Sequence, residues 1–363
     1  MTGVQTCALP ISTGAVDDAC PHAAVTVSFG LPKWGMVLAP GRAHCGRLHT
    51  VDLGFDSALI EREAAGSDDR AVYVDAAHCV ARWPRRAVDA HKYRAGSVFV
   101  VGGSAGMSGA IALVCNAAHR AGAGYVEASV PRSVAAVIDQ QCVESLVHGV
   151  AETDRGGLAE SVLPGLIERA GRHGALVVGP GAGDDPETAT LLLDLVAELD
   201  HAMVVDADGL NASQRARRAH EFGPRTVVTP HSGELARLID VDAKTIESDR
   251  RHWVREAARR LRAVVLHKGA PTFVATPGGD LAVLASGGPE LAAAGTGDVL
   301  SGAVAALLAA GLDPFDAACL GAFAHGDAGA RAARTLGVGP VMARDVAEHL
   351  AFAVRDLERG IVA

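Results

Sequence analysis

This sequence predicts an α/β protein built on a mostly parallel, doubly wound sheet, and three observations carry that expectation. From His91 onward, short β-branched or aliphatic runs alternate with stretches of helical spacing, the pattern of consecutive βαβ units. Five of the strand runs end in loops that carry glycine and polar residues, and in open α/β sheets the ligand sits off the carboxyl ends of the strands. The 363 residues are 49% hydrophobic, with 42 glycines and only 4% aromatics. That composition supports a large core of Ala, Val and Leu with many tight turns, and speaks against a β-sandwich.

Residues 1–12 match neither a helix nor a strand period and lack the basic start and long apolar stretch of a signal peptide. We read them as a translated sequencing-library adaptor. Residues 13–55 read as the tail of a separate domain. Strand-like runs cover 24–29 and 46–52, and Gly30-Leu31-Pro32-Lys33 makes a turn; two strands without covering helices make no stable core alone. Residues 56–90 are charged, with Pro84 followed by Arg85-Arg86, and read as an irregular linker. Residues 91–363 then form the main domain.

Within it, the β-branched runs at 97–101, 125–130, 175–178, 203–205, 226–228 and 264–266 read as strands. The intervening stretches 110–121, 187–199 and 251–262 have helical spacing. The runs 272–276 and 281–285, joined through Pro277-Gly278-Gly279, read as a hairpin. Helices follow over 298–310, 314–333 and 343–357, and no internal repeat is visible.

The loops carry the chemistry. Gly102-Gly103-Ser104 through Gly109-Ala110 follows the first strand, and Gly179-Pro180-Gly181-Ala182-Gly183 the third. Asp206-Ala207-Asp208-Gly209-Leu210-Asn211, Thr229-Pro230-His231 and His267-Lys268-Gly269-Ala270-Pro271-Thr272 follow later ones. The run Gly295-Thr296-Gly297-Asp298 opens a long Ala/Leu/Val helix. A glycine turn at a helix start bares backbone N–H groups on the positive end of the helix dipole, which suits phosphate. A carboxylate beside it can take a proton from an attacking hydroxyl, so anion hole and base together form the minimum machinery for phosphoryl transfer to an alcohol. Taken alone, the same turn is equally an N-cap aspartate.

Other readings of these residues compete. Asp206 and Asp208 either bind Mg²⁺ or cap a helix beginning near Leu210, and capping suits Asp208 better. His231, between Pro230 and Gly233, reads as a ligand contact. His325 reads equally as a packed helix histidine. Gly102-Gly103-Ser104-Ala105-Gly106 satisfies the hydrolase nucleophile elbow, with Ser104 as nucleophile and His231 as base, but that reading leaves Lys268 and Asp298 without a task. The glycines at 102, 103, 106 and 109 miss the dinucleotide fingerprint, and no Walker-type loop occurs.

The net charge of −9 argues against nucleic acid as a partner. Seven scattered cysteines without zinc spacing point to reduced thiols and a cytoplasmic protein. No apolar run reaches transmembrane length, so no membrane partner is expected. Lysine occurs only at 33, 92, 244 and 268, which sets Lys268 apart.

Taken in order, His91-Lys92 and the loop motifs through Gly295-Thr296-Gly297-Asp298 resemble the ADP-dependent NAD(P)H-hydrate dehydratases, over about residues 85–360. The resemblance implies a ribokinase-like three-layer α/β/α fold. It also implies that ADP, with ATP as the other possible donor and with Mg²⁺, phosphorylates the ring hydroxyl of the S-form of hydrated NADH or NADPH. Phosphate is then eliminated and the cofactor restored. By resemblance, Asp298 is the base and Gly295, Thr296 and Gly297 hold the phosphoryl group. Lys268, Gly269, Ala270, Pro271, Thr272 and Gly297 contact the nucleotide, and Ala110, Gly183, His231 and Asp298 line the hydrated dinucleotide. No residue is assigned as a protein ligand to metal, and a homo-oligomer, a tetramer, is expected.

Residues 13–55, through Thr26-Val27-Ser28-Phe29-Gly30-Leu31-Pro32-Lys33, resemble the end of an NAD(P)H-hydrate epimerase domain. The catalytic front of that domain is not in the sequence, so no epimerase activity is expected. Three departures from the family pattern, Tyr93, Ser232 and Gly209, remove no reactive group. The alternatives are a ribokinase-like kinase of a small alcohol, such as a vitamin precursor, and a nucleotide-binding scaffold without catalysis.

Overall fold

The computed structural model describes residues 12–18, 20–65, 70–86, 95–218, 221–284, 286–337 and 341–361. The adaptor reading of the first residues and the His91-Lys92-Tyr93 motif therefore lie outside the described residues, apart from Ser12. The chain divides into two compact units, Met1–Tyr73 and Val74–Ala363.

In the first unit, β1 (Val25–Phe29) and β2 (Arg47–Val51) pair in parallel, with Val25 opposite Arg47 and Phe29 opposite Val51. Two short helices, Trp34–Val37 and Gly41–His44, connect them. Lys33 secures the turn after β1 by donating to the carbonyls of Phe29 at 2.7 Å and Leu31 at 2.6 Å. Gly46 has a φ of +57°, and a Cβ there would run into the carbonyls of Ala23 and Ala24, so only glycine fits.

Residues 56–90 are not the irregular linker expected from their charge. Helix Ser57–Ala65, strand β3 (Val72–Val74) and helix Ala76–Arg82 occupy much of the stretch, and the boundary between units falls inside it. Asp75 caps the second helix by accepting from the His78 N–H at 2.8 Å, and Cys79 and Trp83 enter the core. Arg62, Glu63, Asp75 and Arg82 are exposed, and such charges dilute a sparse apolar stripe.

The remaining strands are β4 (Ser97–Val101), β5 (Tyr125–Pro131), β6 (Leu146–Val150), β7 (Ala175–Val178), β8 (Met203–Val205), β9 (Thr226–Val228), β10 (Val264–His267), β11 (Thr272–Ala275) and β12 (Leu281–Leu284). The ten-stranded sheet runs β3-β12-β11-β10-β9-β8-β7-β4-β5-β6. The seven strands from β10 to β6 in that order pair in parallel, while β10, β11 and β12 pair antiparallel, as the expected hairpin requires. The doubly wound expectation is borne out. Strands β4, β7 and β8 are buried along their whole length, which is why they read as continuous apolar runs. β6 was not anticipated; its sequence Leu146-Val-His-Gly-Val150 and its partial exposure suit an edge strand and leave little periodic signal.

The helix expected over 298–310 runs Thr296–Ala309, and eleven of its fourteen residues are buried. It lies against helix Ser108–Arg120 at Gly302, where a Cβ would meet the Val114 carbonyl and approach Ala117. That close contact fixes the start of the helix relative to the loop after β4.

Candidate active site

The chain threads β4, β5 and β6 to one side and then crosses to β7, β8, β9 and β10 on the other. The switch therefore lies between β4 and β7, where a ligand crevice forms in this class of sheet. The loops after β4, β7, β8, β9 and β10 emerge from five neighbouring parallel strands, and the expectation that they share one rim is met.

Backbone contacts knit these loops together. Gly103 donates its N–H to the Pro180 carbonyl at 2.9 Å, and a Cβ at Gly102 would collide with that carbonyl. Gly181 has a φ of +60°, and a Cβ on it would stand 3.0 Å from Ala110 Cβ. Ala110 and the 179–183 loop are thus neighbours. A Cβ on Gly183 would meet Ser104 Oγ at 3.1 Å. The Lys268 N–H donates to the Pro230 carbonyl at 2.9 Å, joining the last two loops.

Ser104 is not poised as a nucleophile. It is buried and donates to the Gly181 carbonyl at 2.9 Å, with no histidine in that bond. The hydrolase reading fails here, because the strand-to-helix turn spends the hydroxyl on holding the next loop.

The Gly295-Thr296-Gly297-Asp298 turn starts its helix as an open end. Gly295 is the N-cap, with a φ of +88° and no side chain to offer. Thr296 folds away from the opening and donates to the carbonyls of Leu291 at 2.8 Å and Ala293 at 2.9 Å. No side chain caps this helix; the Thr296 N–H makes a long 3.4 Å bond to the Ala293 carbonyl, and the N–H groups that follow it are left for an anion. A Cβ on Gly297 would lie 3.4 Å from Lys268 Nζ and 3.8 Å from an Asp206 carboxylate oxygen, so the turn, the lysine and the aspartate share one place.

The charges there are arranged around a buried carboxylate. Asp206, at the end of β8, is 1% exposed. Its carboxylate accepts from Lys268 Nζ at 3.1 Å and from Ser301 Oγ at 2.7 Å. Lys268 also lies 3.7 Å from Glu234. Burial opposes the lysine's charge, but Asp206 and Glu234 outweigh it and hold the ammonium above its ordinary range. Asp298 stands in the same field. Burial, then the neighbouring Asp206, pushes its carboxyl up to about 7 against the pull of Lys268, and Asp208 adds to the rise.

Asp208 differs from its sequence reading, and His231 has a structural task besides the one read from the sequence. The helix begins at Asp208 itself, with Ala207 as N-cap at a φ of +51°, so Asp208 does not cap it. Its carboxylate accepts from the Gly183 N–H at 3.0 Å and from Arg215 at 2.8 Å. His231 is itself an N-cap: Nδ1 accepts from the Gly233 N–H at 3.0 Å, and Glu234 closes the box from the His231 N–H at 2.8 Å. Its ring remains more than half exposed on the rim, so capping and ligand contact are compatible. His325 is buried beside the turn; burial lowers its pKa to about 4, although its interaction with the Thr296 backbone opposes the fall, and so keeps the ring neutral.

The nucleotide candidates Lys268, Gly269, Ala270 and Pro271 lie between β10 and β11, and Thr272 opens β11. Thr272 Oγ1 donates back to the Gly269 carbonyl at 3.0 Å. Beneath the loop lies Arg250, whose guanidinium stacks 5.2 Å from the Phe273 ring centre and reaches the Lys268 carbonyl at 3.3 Å. A Cβ on Gly269 would collide with that guanidinium. Sequence reading gave no role to Arg250, Arg215, Glu234 or Ser301. Ser301 had a usable signal, since it lies one turn beyond Gly297; the arginines had none, because only the fold brings them under the loops. Among the described residues, no group of three or more His, Cys, Asp or Glu side chains is placed to hold a metal ion.

A doubly wound sheet with an open helix N-terminus and a buried Lys–Asp pair at its rim is the architecture of a ribokinase-like α/β protein. A structure from Bacillus subtilis, described as an ADP/ATP-dependent NAD(P)H-hydrate dehydratase co-crystallised with ATP and Mg²⁺, has the same fold. It matches at a TM-score of 0.68 and 23% identity, over 80% of this chain and all of that one. The family model for NAD(P)H-hydrate dehydratase matches residues 98–351, and this chain belongs to that family. A Xanthomonas campestris protein named ADP-dependent (S)-NAD(P)H-hydrate dehydratase is 34% identical over 76% of this chain and 94% of its own length. A Moorella thermoacetica protein named bifunctional NAD(P)H-hydrate repair enzyme is 40% identical over 97% of this chain. The chain spans 66, 64 and 62% of the length of the first three bifunctional relatives it matches.

Proposed function

We propose that this chain restores hydrated NADH or NADPH by ADP-dependent dehydration. The observation that carries the reading is the Asp298 carboxyl, pushed up to about 7 at the first turn of an uncapped helix and beside Lys268. A base is most effective when its pKa lies near the working pH.

The substrate carries a hydroxyl on the ring carbon next to the ring nitrogen. Hydroxide leaves poorly and phosphate leaves well. Asp298 takes the hydroxyl proton as the oxygen attacks the terminal phosphorus of ADP. The bond to the bridging oxygen breaks and AMP departs. The N–H groups of Gly295, Thr296 and Gly297 hold the transferring group, and Lys268 offsets its charge. The ring nitrogen then pushes out phosphate, a ring proton is lost, and the double bond returns. Ala110, Gly183 and His231 line the dinucleotide, and Gly269, Ala270, Pro271 and Thr272 with Gly297 contact the AMP portion.

Mg²⁺ fits this site as an ion brought with the nucleotide, since it is commonly held by phosphates, water and one or two carboxylates. When bound it would neutralise phosphate charge, held through the phosphates of the nucleotide and water. No helix among the described residues is long and apolar enough to cross a membrane, in keeping with a cytoplasmic enzyme. By family resemblance it assembles as a tetramer.

The test incubates the protein with hydrated NADH and either ADP or ATP and follows recovery of NADH absorbance. Recovery with no lasting phosphorylated product is expected. A stable ester formed on a vitamin alcohol without recovery would identify a kinase instead. Nucleotide binding with neither product would leave a scaffold.

A further inference from the structure

Gly183 is held from both sides by one helix. Its N–H donates to Asp208 Oδ2 at 3.0 Å, and its carbonyl accepts from Arg215 Nη1, which also donates to Asp208 Oδ1 at 2.8 Å. Asp208 lies in the first turn and Arg215 in the last turn of helix Asp208–Arg215, so seven residues of helix place both side chains on one face. The closed cycle leaves no hydrogen-bonding freedom in the Gly183 residue, whose φ of +83° already suits glycine alone. Both partners are mostly buried, where charge-assisted hydrogen bonds are strong.

We propose that Asp208 and Arg215 are a positioning pair for the hydrated dinucleotide: they fix the Gly183 backbone against which the substrate packs, without touching the reacting atoms. The proposal rests on the dehydratase reading, under which Gly183 lines that ligand. It assigns the pair to the dinucleotide side of the cleft, away from the Lys268–Thr272 loop. Arg215 uses a single nitrogen for both bonds, so a lysine ammonium can replace it in part and a methionine cannot.

The experiment measures binding of hydrated NADH by calorimetry in the absence of ADP, and then steady-state kinetics, for the parent, Arg215→Met and Arg215→Lys. Arg215→Met should weaken hydrate binding and raise its KM roughly tenfold, the loss expected for a charged hydrogen bond. The KM for ADP should stay within about twofold, and Arg215→Lys should recover much of the loss. Equal hydrate binding by parent and Arg215→Met overturns the proposal. So does an equal rise of both KM values together with a lowered unfolding temperature, because that is general damage. A parent that does not bind hydrated NADH overturns the dehydratase reading, and this inference with it.

Discussion

At the scale of residues, the site turns on how Asp206 and Asp298 divide their tasks. Asp206 accepts from Lys268 and Ser301, while the Asp298 carboxyl is raised to about 7. The rate constant kcat/KM should therefore climb as pH rises through about 7, since only the carboxylate can take the proton; a pH–rate profile flat from 6 to 8 would contradict this. Asp298→Asn should abolish turnover and leave nucleotide binding largely intact. The same residue carries a stability cost. A carboxyl with a folded-state pKa above its unfolded value loses stability as pH rises from about 4 and has lost it fully above about 7. Asp298→Asn should accordingly be more stable than the parent at pH 8, on the order of 2–4 kcal/mol by urea unfolding, with the difference gone below about pH 4. Lys268→Met should act the opposite way. It leaves the buried Asp206 without its cation and should cost about 3–5 kcal/mol of stability as well as ADP affinity.

At the scale of elements, the helix Thr296–Ala309 is placed by a contact one turn beyond Asp298. Gly302 lies one turn past Asp298, against the backbone of helix Ser108–Arg120. Gly302→Ala should force the helices apart, cost roughly 1–3 kcal/mol and lower kcat, because the uncapped N-terminus moves with its helix. Thermal unfolding alongside steady-state kinetics checks both parts. A variant with a lowered unfolding temperature and full kcat would separate packing from catalysis and refute the link. Gly269 depends on a neighbour in the same way: Arg250 fills the space where a Cβ would go. Neither dependence is visible in a local motif, since the opposing residue comes from another element in each case.

At the scale of the whole molecule, the two units make distinct predictions. The Ala76–Arg82 helix and Trp83 belong to the core of the Val74–Ala363 unit, so a chain starting at Arg70 should fold and retain the proposed dehydratase activity. A chain starting at His91, where the charge pattern alone would place the domain boundary, loses β3, that helix and the buried Trp83 and Cys79. It should be less stable by several kcal/mol, since removing one large buried side chain alone costs about 3–5 kcal/mol; denaturant unfolding of the two chains compares them directly. The doubly wound sheet, its hairpin and the rim loops were legible in the sequence because buried parallel strands read as unbroken apolar runs bounded by glycine. The elements within 57–82 and the edge strand β6 were not, because partly exposed elements dilute their apolar period with charge. The sequence by itself determined the alternation of elements, the glycine turn before Asp298 and the order of the loop motifs, all of which depend on local backbone conformation and spacing. Only the tertiary structure decided that Asp208 holds Gly183, that His231 caps a helix, and that Asp298 is raised while Asp206 is paired. Those outcomes depend on burial and on charges brought together from distant parts of the chain, and no local pattern carries that information.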